Sequence, residues 1–217
     1  MTGVARSHLR TAWELLEHHW AAFLLAQLTI VAAWVALEIA VVAAHRSGIP
    51  AVAFWPLWSC LHLAFFWVFC GLMAGIHRMA LQAVDGGIPT FATAVGSFNR
   101  SNTYLFTSLL YWVAVTGGLV LAVVPGLVVA VTFAPFRFLL VEGTQNGLSS
   151  LREATLLSAS HRWRIFRTLS VSAALNLGGA AFLGVGLLVT FPLTVLLRAS
   201  QFRALQDLSL PTIRCAP

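Results

Sequence analysis

Residues 103–141, TYLFTSLLYWVAVTGGLVLAVVPGLVVAVTFAPFRFLLV, decide the fold. Arg137 is the only charged side chain in the stretch. The run from Thr103 to Val124 makes a helix of about 33 Å at 1.5 Å per residue, enough to cross about 30 Å of hydrocarbon. Pro125-Gly126 breaks it, and Leu127 to Val141 returns. The segment therefore reads as a hairpin of two membrane helices.

The rest of the chain agrees. Of its residues 59% are hydrophobic and 9% charged, against about 25% charged in soluble domains. A soluble fold of 217 residues has no means of hiding that much apolar surface. Trp20 to Ala44 and Ala51 to Ile76 add two more spans. The first, about 25 residues, exceeds a signal-peptide core of roughly 7–15 and reads as a retained anchor. Thr168 to Leu197 is too long for one upright helix and short for two. With a turn near Gly184 and its ends extended to Trp163 and Leu205, it gives two spans. The expected class is all-α: a polytopic membrane bundle of about six transmembrane helices in one domain, 1–217. Five spans, or a re-entrant pair, is the main alternative.

All thirteen basic residues are Arg. On the six-span reading Arg6, Arg10, Arg78, Arg100, Arg137, Arg152, Arg162, Arg164, Arg167, Arg198, Arg203 and Arg214 fall on one side and Arg46 alone on the other. That asymmetry puts both termini in the cytoplasm. The location expected is the bacterial cytoplasmic (inner) membrane. The positive charge then faces lipid phosphates, and no nucleic-acid partner is expected. Cys60 and Cys70 are about 15 Å apart on one helix, too far for a disulfide.

Short helices lie between the spans. Residues 6–19 place Leu9, Trp13, Leu16 and Trp20 on one face and Arg10, Glu14 and His18 on another, as an interfacial amphipathic helix or as an extension of the first span. Phe91, Ala94, Val95 and Phe98 make a second stripe after Asp85-Gly86-Gly87. Ser150 and Glu153 match a capping box at the start of a third helix. Each of the last two precedes a hairpin, and glycine pairs recur at Gly117-Gly118 and Gly178-Gly179. Residues 88–143 and 148–206 are thus expected to be repeated interface-helix-plus-hairpin units, offset by about 61 residues.

The second half, VVPGLVVAVTFAPFRFLLVEGTQNGLSSLREATLLSASHRWRIF (123–166) followed by LLVTFPLTVLLRASQFRAL (187–205), resembles a broad family of small bacterial integral membrane proteins of unknown function. That family is related to the membrane domain attached to some glycerophosphoryl diester phosphodiesterases. The matching positions are Pro125, Gly126, Pro135, Glu142, Gly143, Ala154, Ser158, Gly184, Gly186 and Pro192. GLMAGIHRMALQAVDGGIPTFATAVGSF (71–98) resembles the family's first half. His161-Arg162 stands where a Lys-Gly pair is common, and Phe202 where a Tyr is. The resemblance implies six helices with both termini inside. No phosphodiesterase domain is present in these residues, so the hydrolase activity is not carried over.

Ionisable residues inside a membrane are functional candidates by default. Glu38, near the outer end of the first span, is a cation, proton or substrate contact, or else snorkels or pairs with His45 or Arg46. His62, mid-span, is a ligand or proton shuttle, or more often a neutral hydrogen-bonding side chain. Arg137 sits beside Pro135 and within two turns of Glu142, so an internal Arg137–Glu142 pair or a lipid-phosphate contact is expected. Asn176 is placed to join helices through its amide. These five are the candidate substrate or lipid contacts. Gly71 and Gly75 allow close helix approach.

No enzyme motif is present. His18-His19 lacks the spacing and carboxylate of a zinc helix, and there is no GxSxG, Walker or dinucleotide turn. No catalytic residue, metal or cofactor is expected. The first functional reading is a non-catalytic scaffold, assembly factor or accessory subunit of a membrane complex. The alternative is a small transporter, channel or lipid-handling protein. Membrane lipids are the expected partners, with a membrane-protein partner or a second copy of the chain.

Overall fold

A computed structural model describes residues 3–143, 146–182 and 184–214, with side chains described from residue 8 to 208 apart from residue 51 and the two gaps. Helix accounts for 88% of the chain and no strand occurs among the described residues, so the class is all-α. The helices are α1 (Gly3–Arg46), α2 (Ala51–Val84), α3 (Phe91–Val95), α4 (Ser101–Leu121), α5 (Val123–Phe133), α6 (Phe136–Glu142), α7 (Gly147–Ala159), α8 (Arg162–Ala181) and α9 (Leu187–Arg214). A single 3-10 turn, Phe98–Arg100, joins α3 to α4.

Four apolar segments are long enough to cross a membrane: His8–Arg46, Val52–Val84, Phe91–Leu121 and Val123–Glu142. They overlap the first four expected spans, the third ending at Leu121 instead of Val124. α8 and α9 form the remaining hairpin, but neither is among the helices of sufficient length and apolarity. α8 opens with Arg162, Arg164 and Arg167, and α9 carries Arg198 and Arg203. Each charge removes apolar length that a crossing requires.

α1 is one unbroken helix of 44 residues. Residues 6–19 thus run straight into the first span, with no boundary at Trp20. Glycine and proline are absent between Ala5 and Arg46, so nothing in that interval frees a carbonyl or forces a bend. α2 tolerates Pro56 because it lies in the second turn, close to the helix start. Farther along, Pro135 does break the chain: α5 ends at Phe133 and α6 begins at Phe136.

The core lies around the C-terminal half of α2. Ala74, Ile76, Met79 and Ala80 of α2 cluster with Ala12, Phe23 and Ala26 of α1, Phe138 of α6, and Leu196 and Phe202 of α9. Gly71 and Gly75 do face a close neighbour. A methyl on Gly71 would meet Phe98 Cδ1 at 2.9 Å, and one on Gly75 would overlap the Ala94 backbone. Small residues here bring α3 and the start of α4 against α2.

The two later hairpins close alike. A methyl on Gly118 would lie 2.9 Å from Gly126 Cα, and one on Gly179 would lie 3.0 Å from the Gly186 carbonyl carbon. Gly184 turns the second hairpin at φ 77°, where an L side chain is strained. α7 begins at Gly147, with Asn146 before it and no side-chain cap. The Ser150 hydroxyl donates to the Asn146 carbonyl at 3.4 Å. The expected capping box at Ser150 is therefore absent: the helix starts three residues earlier, and Ser150 already lies inside it.

α1 runs on past the α8–α9 turn. Val185, at the α8–α9 turn, lines one groove with Leu24 of α1. α1 continues to Arg46, another 22 residues, about 33 Å at 1.5 Å per residue. On this outer part Trp34, Val35, Ile39, Trp55, Trp58 and Leu63 are exposed.

Candidate functional site

Three of the polar groupings among the described residues bear on the candidate residues. The first ties together the end of the bundle where α2 and α6 finish. Arg203 of α9 grips Asp85, just past α2, with Nε donating to Oδ1 at 2.7 Å and Nη2 to Oδ2 at 2.5 Å. Nη1 donates to Glu142 Oε1 at the end of α6 and to Gln206 Oε1 at 2.7 Å. The Gln206 amide in turn donates to Glu142 Oε2 at 2.8 Å. One guanidinium thus joins three helices. Partial burial opposes charge on Arg203, but the hydrogen bonds and charges of Asp85 and Glu142 outweigh it and hold its pKa above the ordinary arginine value.

Arg100 plays a related part. Its Nη1 donates to the Leu140 carbonyl at 2.8 Å, the Val141 carbonyl at 2.9 Å and the Gly143 carbonyl. These are carbonyls a helix end leaves without partners, and the positive charge suits the negative end of the α6 dipole. Arg78, Gln82, Asp85, Arg100, Glu142 and Arg203 border an open groove of about 690 Å³.

The second grouping is in the core. His77 of α2 is 2% exposed and its Nδ1 lies 2.7 Å from the Met73 carbonyl. A carbonyl only accepts, so Nδ1 carries a proton and donates. The Tyr104 hydroxyl is 3.5 Å from that same nitrogen; facing a protonated nitrogen, it keeps its own proton for another acceptor. Phe138 packs edge-on to His77 at 5.2 Å between ring centres. Arg137 places its guanidinium 5.6 Å from the Tyr111 ring centre and 5.7 Å from that of Phe136. Arg198 of α9 is within electrostatic reach of Arg137, Tyr111 and Tyr104.

The expected Arg137–Glu142 pair is not formed. Five residues along a helix rotate a side chain by about 140°, so the two leave α6 on different faces. Glu142 takes Arg203 instead. Arg198 was expected to leave the bundle toward the cytoplasm; it is half-buried within α9, and its Nε is buried with no hydrogen-bond partner.

The third grouping is a single bridge. Asn176 Nδ2 donates to Thr194 Oγ1 at 3.2 Å, joining α8 to α9 as its amide predicted. Glu38 and His62 lie apart from all of this on the outer α1–α2 hairpin. Glu38 is half-buried. The His62 Nδ1 lies 2.9 Å from the Trp58 carbonyl, and its ring packs on Trp58 at 4.1 Å between centres. The five candidates thus fall in four places. Sequence reasoning missed His77, Tyr104, Arg198 and Arg203 as members of clusters. The recurrence at 61 residues was the available signal, since Glu142 and Arg203 are separated by that interval.

No group of three or more His, Cys, Asp or Glu side chains able to hold a metal occurs among the described residues. Protein-family models, curated proteins and solved structures return no match to the chain.

Proposed function

We propose that this chain is a non-catalytic integral protein of the bacterial cytoplasmic membrane, serving as a scaffold, assembly factor or accessory subunit. The observation that carries this reading is the α1–α2 hairpin, which runs on for about 33 Å beyond Leu24, the residue that shares a groove with the α8–α9 turn. Two helices side by side bury little of their surface. Trp34, Trp55, Trp58 and Leu63 there face lipid or the helices of a partner. Loops are short, and the larger polar groups are engaged in holding helices together.

The test is native mass spectrometry after gentle release from the source membrane. A stoichiometric complex with another membrane protein is the expected result. A lone chain, with no partner lost from the membrane on deletion, overturns the reading. The second reading, a transporter, channel or lipid-handling protein, is favoured by Arg137, which has no carboxylate beside it.

The same hairpin bears on topology. With α1 crossing from about Trp20, a turn beside Leu24 reaches only the inner part of the membrane. We therefore favour four crossings and a re-entrant α8–α9 hairpin entering from the inside. This arrangement keeps both termini cytoplasmic and leaves the arginine partition unchanged. In a Cys60→Ala, Cys70→Ala, Cys215→Ala background, Ser47→Cys is expected to react with a membrane-impermeant thiol reagent from outside, and Val185→Cys is not. Equal labelling of both restores six crossings. The 61-residue repeat is supported by the matched glycine approaches in the two hairpins.

A further inference from the structure

Arg137 and Arg198 are separated by 61 residues, the interval that also separates Gly118 from Gly179. They come from the two later hairpins and flank α6: Arg137 lies over Tyr111 and Phe136, and Arg198 lines a void with Pro135 and Phe138. Phe138 packs on His77, whose ring lies beside the Tyr104 hydroxyl. Among the described residues neither is in an ion pair: Asp85 and Glu142, the carboxylates at the end of the bundle, are held by Arg203. Neither guanidinium has a hydrogen-bond acceptor among the described residues. Arg137 has only ring faces, and Arg198 Nε is fully enclosed and without a partner.

This arrangement is physically incomplete. Each guanidinium carries five donors. Arg137 and Arg198 are both half-buried, and Arg198 Nε is the one of their nitrogens buried without a partner; two like charges so placed lose part of their hydration, a cost that an acceptor of opposite charge offsets. Protein carboxylates do not supply it. The Tyr104 hydroxyl contributes one more proton without an acceptor, because His77 Nδ1 is already a donor to Met73. The missing partner is an anion with several acceptor oxygens. Tetrahedral phosphate oxygens match two planar guanidinium forks, with a hydroxyl left for a further oxygen.

We propose that Arg137 and Arg198, with Tyr104, bind one phosphate group between α6 and α9. It comes from an anionic lipid headgroup or from free phosphate. The site goes beyond the scaffold reading and does not depend on it, whereas it deepens the lipid-handling one. The half-open void beside Arg198, between Pro135, Ile165 and Phe202, is about 30 Å³, room for about one or two water molecules. The phosphate must therefore enter with its substituent directed outward.

The experiment uses the full chain in nanodiscs of phosphatidylcholine, either alone or with phosphatidylglycerol. A third arm is phosphatidylcholine nanodiscs with inorganic phosphate added. Native mass spectrometry reads retained anions, and melting temperature reads stabilisation. The wild type is expected to retain one phosphatidylglycerol or one phosphate and to melt higher with it. Retention is expected to fall at least tenfold in the Arg137→Gln, Arg198→Gln double variant. It is expected to persist in Arg152→Gln, which alters an exposed arginine on α7. Response to phosphatidylglycerol alone assigns a headgroup, and response to phosphate alone assigns the free ion; either supports the site. No retention or melting shift in wild type overturns it, as does equal retention by the double variant. Should that variant fail to fold, Arg198→Gln alone and the wild-type melting shift still decide. A protein partner found or missed in the same spectra bears on the scaffold reading separately.

Discussion

Gly75→Val is expected to prevent the bundle from forming. The added carbons would overlap the backbone of Ala94, which is fully buried and has no flexible end to move aside. Overpacking a core typically costs about 1–3 kcal/mol, and more where backbone must shift. α3 would be pushed from α2, and with it the start of α4. The measurement is monodispersity by size exclusion, together with thermal unfolding in detergent. Gly117→Ala is the matched control, because nothing lies within 4 Å of a methyl there. It is expected to be neutral or to stabilise by about 0.5–1 kcal/mol, the usual gain of Ala over Gly in a helix. If Gly75→Val melts with the wild type, the α2–α3 contact is wrongly placed.

Arg203→Ala has the next largest expected effect. It releases Asp85, Glu142 and Gln206 together and leaves two carboxylates facing each other. Arg203 is 25% exposed, Asp85 45% and Glu142 34%, so water and salt screen much of the interaction. The loss is set at about 1–2 kcal/mol, between an exposed pair and a buried one. The melting temperature should fall by several degrees, and less at high ionic strength. Arg203→Lys should recover little, since a single ammonium cannot grip Asp85 with two nitrogens. An unchanged melting temperature would mean that the network does not link the three helices.

Much of the helical layout is legible in the sequence because membrane length leaves a strong apolar signature. The interruption at Pro135 and the turn at Gly184 follow from local backbone chemistry. So does the continuity of α1, whose 41 residues from Ala5 to His45 contain no glycine or proline. The first hairpin, by contrast, turns at Ala122, three residues before the expected Pro125-Gly126 break, because Pro125 fits in the first turn of α5, where a missing N–H is tolerated. Clusters are harder to foresee. Arg203 and Asp85 are 118 residues apart, and nothing local indicates that they meet. Charge counting also misplaced Arg198, since it treats every arginine near a helix end as solvated. Arg137 was singled out correctly as unusual, but its partner was sought along one helix. A guanidinium selects neighbours by the face from which it leaves, and that face carries Arg137 onto the Tyr111 ring of α4.

The joining of α1 to α9 has a consequence for how the molecule is made. Phe23 and Phe202 belong to one core cluster, yet the ribosome adds the second long after the first. Until α9 emerges, the inner faces of α1 and α2 around Ala26 and Met79 have no cover. The α1–α2 hairpin can enter the lipid at once, but the core waits until α9 is made. During that interval its uncovered faces need shielding, and a chain cut short before Leu187 is expected to be degraded faster than one that reaches α9.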